Sequence, residues 1–131
     1  MLLDTTFLID FLRGEEKAIK FMQKNESGLI FTTEINVFEI VTGVYASKDN
    51  IKEYLERINA LLSNLIVLNL DRKSSIKAGE ITGNLIKQGQ KIQETDCLIA
   101  AIALTNGLNV IVTENKKHFE RIKEIEVLSY V

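Results

Sequence analysis

The chain has 131 residues, of which 46% are hydrophobic and 26% charged, with a formal net charge of −2. This composition is typical of one folded globular domain and excludes a largely disordered chain. One cysteine and one histidine exclude a disulfide framework, a cysteine-rich zinc site and chemistry that needs two imidazoles. No signal peptide is evident, and the longest apolar run, 97–104, is far shorter than the roughly 20 residues of a membrane span. We therefore expect a cytoplasmic single-domain protein without a membrane partner.

Short apolar strands alternate with helices along the chain. In order, the pattern predicts a strand at 1–3, a helix over 5–12, a helix through 18–22, a strand at 29–31 and a helix over 34–46 capped by Thr33. There follow a helix over 49–62, a strand at 65–68, a helix over 71–88, a helix over 95–105, a strand at 110–112, a helix over 117–122 and a strand at 126–128. This alternation predicts a mostly parallel five-stranded sheet with helices on both faces.

Two aspartates stand where a strand ends or an apolar helix begins. Asp4 directly follows the first predicted strand, and Asp96 precedes eight consecutive apolar residues, 97–104. Ligands of parallel α/β sheets bind beyond the carboxyl ends of the strands, so these side chains are candidates for a site. The structural alternatives are a helix N-cap for Asp4 and a favourable interaction with the helix dipole for Asp96.

Glu39 and the pair Glu114–Asn115 complete the acidic set. Glu39 lies in an apolar helix on a narrow polar stripe with Asn36 and Gly43, so its charge must be paired, neutralised or metal-bound. Its structural alternative is an ion pair with a nearby Lys or Arg, and that of Glu114 and Asn115, which follow the fourth predicted strand, is a solvated loop. Carboxylates that converge raise one another's pKa, and a hard divalent cation such as Mg²⁺ or Mn²⁺ relieves the repulsion.

The sequence resembles the PIN-domain family and, within it, the VapC toxin ribonucleases. The resemblance covers essentially the whole chain and rests on segments in the family's order: 2–10 (LLDTTFLID), Glu39, 96–101 (DCLIAA), 112–115 (VTEN) and 118–122 (HFERI). It implies a three-layer α/β/α sandwich over 1–131, with a parallel five-stranded sheet. It also implies endonucleolytic cleavage of RNA that depends on one or two Mg²⁺ or Mn²⁺ ions.

The resemblance also assigns site residues by position. Three acids match the family's metal-binding and catalytic positions: Asp4, Glu39 and Asp96. The fourth position is ambiguous, because either Glu114 or Asn115 can hold it. Thr6, which stands where many members have Asn or Ser, and Thr113 are expected to support the site.

Three basic residues follow the fourth strand and are candidates to bind RNA phosphates: Lys116, Lys117 and Arg121. The alternative for each of them is a solvated helix surface. Two other functions also remain open, namely an RNA-processing nuclease outside any toxin pair and a catalytically silent PIN-like interaction module. Three retained acids argue against the silent module.

The resemblance further implies a small antitoxin as partner, a homodimer and a toxin–antitoxin hetero-oligomer. The helices 5–12 and 34–46 offer aromatic candidates for the walls of the antitoxin groove: Phe7, Phe11, Phe38 and Tyr45. For Phe38 a place in the core is the favoured interpretation. The acidic crevice beyond the groove favours an inhibitor that inserts Arg or Lys.

Overall fold

The computed structural model describes residues 1–130, and within them five short strands form one sheet. The strands are β1 (Leu2–Leu3), β2 (Phe31–Thr33), β3 (Ile66–Leu68), β4 (Val110–Val112) and β5 (Glu126–Leu128). Their order is β3-β2-β1-β4-β5, and every neighbouring pair is parallel. The predicted parallel five-stranded sheet is confirmed.

Seven helices connect the strands in the described part of the chain. They are α1 (Thr5–Leu12), α2 (Glu16–Asn25), α3 (Glu34–Ser47), α4 (Ile51–Leu62), α5 (Arg72–Lys87), α6 (Glu94–Thr105) and α7 (Lys116–Phe119). Thr33 and Asp71 are the N-caps of α3 and α5, as predicted, and each forms a capping box. Among these residues, no helix is long and apolar enough to cross a membrane.

Two hydrophobic cores lie on opposite faces of the sheet. Consecutive strand residues point to opposite faces, so Leu2 and Ile111 contribute to the core beneath α5 and α6. Leu3 and Val112 contribute to the core beneath α1, α2, α3 and α4. Helices on both faces of one parallel sheet give the three-layer α/β/α sandwich that the sequence predicts.

The second strand lies two residues later than predicted. Leu29 is 72% exposed, and the strand instead runs through two fully buried threonines, Thr32 and Thr33. A buried hydroxyl needs a partner, and Thr32 Oγ1 donates to the carbonyl of Leu3 at 2.9 Å. The apolar residues that predict the strand therefore begin before it, and a hydrogen bond stabilises the buried threonine within it.

Two of the aromatic predictions are wrong. Phe7, expected on a groove wall, is fully buried and packs against the rings of Phe11, Phe21 and Tyr130. Phe38, expected in the core, is 62% exposed. The reason is that α3 buries Ile40 and Val44 against α1 and α4, which turns Phe38 to the opposite side of the helix.

Candidate functional site

The candidate site lies at the carboxyl ends of β1 and β4, which are neighbours at the centre of the sheet. Leu3 pairs with Val112 in register, so the next residues, Asp4 and Thr113, leave the sheet side by side. The backbone N–H of Asp4 donates to the carbonyl of Val112 at 3.0 Å and extends the ladder by one bond. Parallel strands thus bring together two residues from opposite ends of the chain.

Asp4 is a buried carboxylate that is held from both sides. Thr113 Oγ1 donates to its Oδ2 at 2.6 Å, and Asn36 Nδ2 donates to its Oδ1 at 3.1 Å. Asp4 occupies the N-cap position of α1, but its side chain makes no capping hydrogen bond. The capping alternative therefore does not explain an aspartate here.

A pair of hydroxyls supports Asp4 from the β4 side. Thr6 Oγ1 and Thr113 Oγ1 are 3.2 Å apart. Because Thr113 gives its one hydroxyl proton to Asp4, the proton between the two threonines comes from Thr6. The backbone N–H groups of Glu114 and Asn115 donate to Thr6 Oγ1 and Thr113 Oγ1, at 3.0 and 2.9 Å. The turn after β4 is thereby fixed relative to the start of α1.

Asp96 lies in the first turn of α6 and is only 3% exposed. Its Oδ2 is 2.7 Å from His118 Nδ1 and 3.3 Å from Asn115 Nδ2. Because Asn115 also donates its backbone N–H to Thr113, hydrogen bonds run without a break from Asp4 to Asp96.

Glu39 joins the same network from α3. Thr5 Oγ1 donates to its Oε1 at 2.7 Å, and Asn36 Nδ2 donates to Thr5 Oγ1 at 2.9 Å as well as to Asp4. Glu39 is half-buried, and its partner is a hydroxyl rather than the cationic side chain of the structural alternative. Asn36 therefore connects two of the predicted acids.

Burial disfavours negative charge on the two aspartates of this site. Burial raises the pKa of Asp4 to about 6, and the charges of Asp96 and Glu39 act in the same direction, while the Thr113 hydrogen bond opposes the shift. Burial also raises the pKa of Asp96, against the opposing effect of its bond to His118. Within residues 1–130, no Lys or Arg forms an ion pair with Asp4, Asp96 or Glu39.

The donor chemistry here fits a hard divalent cation. Carboxylate, amide and hydroxyl oxygens are the ligands that Mg²⁺ and Mn²⁺ take. Across the described residues, no three His, Cys, Asp or Glu side chains are spaced to hold one ion together. Mg²⁺ is usually bound through one or two carboxylates and completes its shell with water, so a pair such as Asp4 and Asp96 is sufficient.

Glu114 and Asn115 point in different directions. Glu114 forms an ion pair with Lys17 on α2, with Oε1 and Nζ 2.5 Å apart, and both side chains are more than one third exposed. Asn115 directs its side chain to Asp96 and His118. Of the two candidates for the fourth position, Asn115 is the one whose side chain contacts a buried acid.

The three predicted phosphate-binding residues lie in different surroundings. Arg121 donates hydrogen bonds to the carbonyls of residues 90 and 91, at 3.4 and 3.1 Å, and so contacts the loop that leads into α6. Lys116 lies 3.5 Å from Glu120 on the same exposed face. Lys117 is exposed on α7, beside the site.

Three residues of the network were not among the predicted site residues. Thr5 and Asn36 link Asp4 to Glu39, and His118 contacts Asp96. A signal existed for Asn36, which shares the polar stripe of Glu39 on α3. His118 had a weaker signal, as the only histidine of the chain and close after the fourth strand.

Comparison with known proteins places the chain in a family. A model of the PIN domain matches residues 1–125. Ribonuclease VapC2 of Haemophilus influenzae is 31% identical, over 99% of this chain and 97% of that protein. The tRNA(fMet)-specific endonuclease VapC of Shigella flexneri is 28% identical, over 92% and 90% of the two chains. Among solved structures, DNA-bound VapBC from Salmonella typhimurium superposes with a TM-score of 0.89 at 28% identity, over 99% of this chain and 97% of that one. The chain belongs to the PIN domain family and, within it, to the VapC-like ribonucleases.

Proposed function

We propose that this protein is an endoribonuclease that hydrolyses RNA phosphodiester bonds, and that it is the toxin of a toxin–antitoxin pair. The observation that carries the proposal is the unbroken network of hydrogen bonds between two buried aspartates that no Lys or Arg within residues 1–130 neutralises. Asp4 lies at the carboxyl end of β1, and Asp96 lies in the first turn of α6. The names of the relatives, ribonuclease and tRNA(fMet)-specific endonuclease, support the same activity.

Asp4 and Asp96 are the residues that would hold a divalent ion, Mg²⁺ or Mn²⁺. When bound, such an ion lowers the pKa of water and stabilises charge on a phosphodiester. Glu39 accepts a hydrogen bond from Thr5 at Oε1, which leaves Oε2 to orient the attacking water or to accept its proton. Thr6 and Thr113 keep the Asp4 carboxylate in place, and we assign the fourth position of the site to Asn115.

We propose that Lys116 and Lys117 bind phosphates of the RNA, since both are exposed on α7 next to the site. We do not assign that role to Arg121, whose guanidinium is engaged by the loop before α6. Lysines bind phosphates as point charges and carry no sequence information by themselves, so they would position the RNA without selecting it.

We propose that the antitoxin docks beside α1, where two grooves open. The outer groove, between α1, α2 and α4, has a volume of about 710 Å³ and is lined by Phe11, Ile19 and Met22 among others. The inner groove, between α1, α3 and α4, has a volume of about 360 Å³ and reaches Glu39. An antitoxin segment with apolar side chains in the outer groove and a basic side chain directed at the acids would complement both surfaces.

A homodimer is the second assembly that we propose. Phe38 and Tyr45 lie seven residues apart on one side of α3 and are 62% and 61% exposed. Exposed aromatic residues on one helix face are suited to a protein interface. Light scattering of the purified chain, with Phe38→Ser as the comparison, tests this assignment: the wild type should have twice the monomer mass and the variant a lower one. A wild-type monomer contradicts it.

The test of the function is cleavage of defined RNAs, tRNA included, by the purified protein. We expect Mg²⁺ or Mn²⁺ to support internal cleavage, a chelator to stop it, and the product of the adjacent gene to inhibit it. Cleavage that no neighbouring gene product inhibits would favour an RNA-processing nuclease outside a toxin pair. Absence of cleavage with every RNA and metal would favour the catalytically silent module.

A further inference from the structure

His118 and Asn115 both approach the same oxygen of Asp96. Oδ2 is 2.7 Å from the ring nitrogen Nδ1 of His118 and 3.3 Å from the amide nitrogen of Asn115, and the two nitrogens are 2.9 Å apart. An ionised carboxylate can only accept, so the ring donates its Nδ1–H to Asp96. The ring makes the shorter contact and is the stronger of the two constraints on the carboxylate.

The other oxygen of Asp96 is left available. No hydrogen bond within residues 1–130 reaches Oδ1, and none of the buried side-chain oxygens in that range lacks a partner. Oδ1 therefore keeps contact with solvent, although the residue as a whole is nearly buried. With Oδ2 held by the ring, rotation of the carboxylate is restricted and Oδ1 keeps a fixed direction.

The backbone that carries the His118 ring is held in place by its helix. The next residue, Phe119, is fully buried in the core beneath α6, and the His118 backbone N–H donates to the carbonyl of Asn115 at 3.3 Å. A donor fixed in this way can orient an acid, whereas a mobile surface side chain cannot.

We propose that His118 is a positioning residue of the nuclease site, which holds Asp96 so that Oδ1 is presented to a divalent ion. This role rests on the proposed function, because it concerns the metal of that site. His118 acts through Asp96 and is not assigned a contact with the RNA. Hydrogen-bond partners of metal ligands typically change metal affinity by about 10- to 100-fold when they are removed.

The test is Mn²⁺ binding to the full chain, measured by isothermal titration calorimetry without RNA. His118→Leu fills part of the space of the ring without a donor, and His118→Asn places an amide nitrogen at the position of Nδ1. Lys123→Ala, on the exposed turn after α7, is the matched control. We expect Mn²⁺ affinity to fall about 10-fold or more in His118→Leu, to recover largely in His118→Asn and to stay unchanged in the control.

Wild-type Mn²⁺ affinity in His118→Leu would overturn the proposal. An equal loss of Mn²⁺ affinity in His118→Leu and His118→Asn would overturn it too, because the shape of the side chain rather than its hydrogen-bond donor would then matter. Thermal melts of each variant establish that it is folded before binding is compared. A wild-type chain that binds no Mn²⁺ and cleaves no RNA would instead overturn the proposed function. The two failures are therefore distinguishable.

Discussion

Asp4 and Thr113 lie 109 positions apart in the chain, yet their side chains share a hydrogen bond of 2.6 Å. The contact exists because β1 and β4 are parallel neighbours and each residue is the first after its strand. It joins the two ends of the fold and fixes the direction of a buried carboxylate.

Replacing Thr113 with Val removes this bond while keeping the shape of the side chain. The Asn115 N–H and the Thr6 hydroxyl also lose their acceptor, so we expect the free energy of unfolding to fall by about 1–3 kcal/mol. RNA cleavage should fall as well, and Thr113→Ser should restore both. Urea denaturation and cleavage rates check this. Thr105→Val, which removes only a hydroxyl bonded within its own helix, is the control. Equal effects at positions 113 and 105 would contradict the assignment.

Asp4 makes the stability of the metal-free protein dependent on pH. Its pKa is raised from 3.8 to about 6, so the folded state binds the proton more tightly than the unfolded state does. The contribution of Asp4 to stability is therefore full below pH 4 and is lost as the pH rises through 6, by roughly 3 kcal/mol. Asp4→Asn should remove this dependence and be more stable than the wild type at pH 7. Denaturation of both proteins from pH 4 to 7 in a chelator tests it, and parallel pH curves would contradict it.

Asn115, rather than Glu114, is expected to matter for cleavage. Glu114 is engaged by Lys17 at the surface, whereas Asn115 contacts Asp96. We predict that Glu114→Gln cleaves RNA at close to the wild-type rate and that Asn115→Ala is strongly impaired although folded. The reverse order of rates, measured on one RNA at one Mg²⁺ concentration, would assign the fourth position to Glu114.

The outer groove beside α1 should bind the antitoxin. Phe11 and Met22 line it, whereas Tyr45 is exposed on α3 and lines neither groove. Of the four aromatic residues that the family resemblance suggested for the groove walls, only Phe11 lines this groove. We now expect Phe11→Ala and Met22→Ala each to weaken binding of the adjacent gene product about 5- to 30-fold, as loss of 1–2 kcal/mol implies. Tyr45→Ala should bind as the wild type does, and cleavage without antitoxin should persist in all three. Affinities in which only Tyr45→Ala is weakened would place the partner on α3 instead.

Much of the fold follows from local patterns. Apolar runs and caps such as Thr33 and Asp71 predict the elements and their order. Hydrophobicity predicts a strand that begins at Leu29, because leucine is more apolar than threonine. Thr32 is buried in the strand instead, because its hydroxyl donates a hydrogen bond to the carbonyl of Leu3. Phe38 was misplaced because a helix that is apolar nearly all round does not indicate which side faces the sheet.

The residues of the site could be predicted only in part, because local sequence patterns do not show contacts between distant parts of the chain. Asp4 follows a strand, Asp96 begins an apolar helix, and the resemblance to a known family picks out the positions of all three acids. The partners of these acids are 19 to 109 positions away in sequence, as with Asn115 and Asp96 or Thr113 and Asp4. No local pattern specifies such contacts, because strand order and the packing of α7 determine them.

The central claim is that Asp4 and Asp96 form a metal-dependent site that cleaves RNA. The most direct measurement is RNA cleavage and thermal stability of the wild type, Asp4→Asn and Asp96→Asn across a Mg²⁺ titration, with the exposed-site variant Asp49→Asn as control. We predict that wild type and control cleave RNA and melt at higher temperature as Mg²⁺ rises, while both site variants are folded, inactive and little stabilised by the ion. Site variants that still cleave RNA, or that gain as much stability from Mg²⁺ as the wild type, would contradict the account.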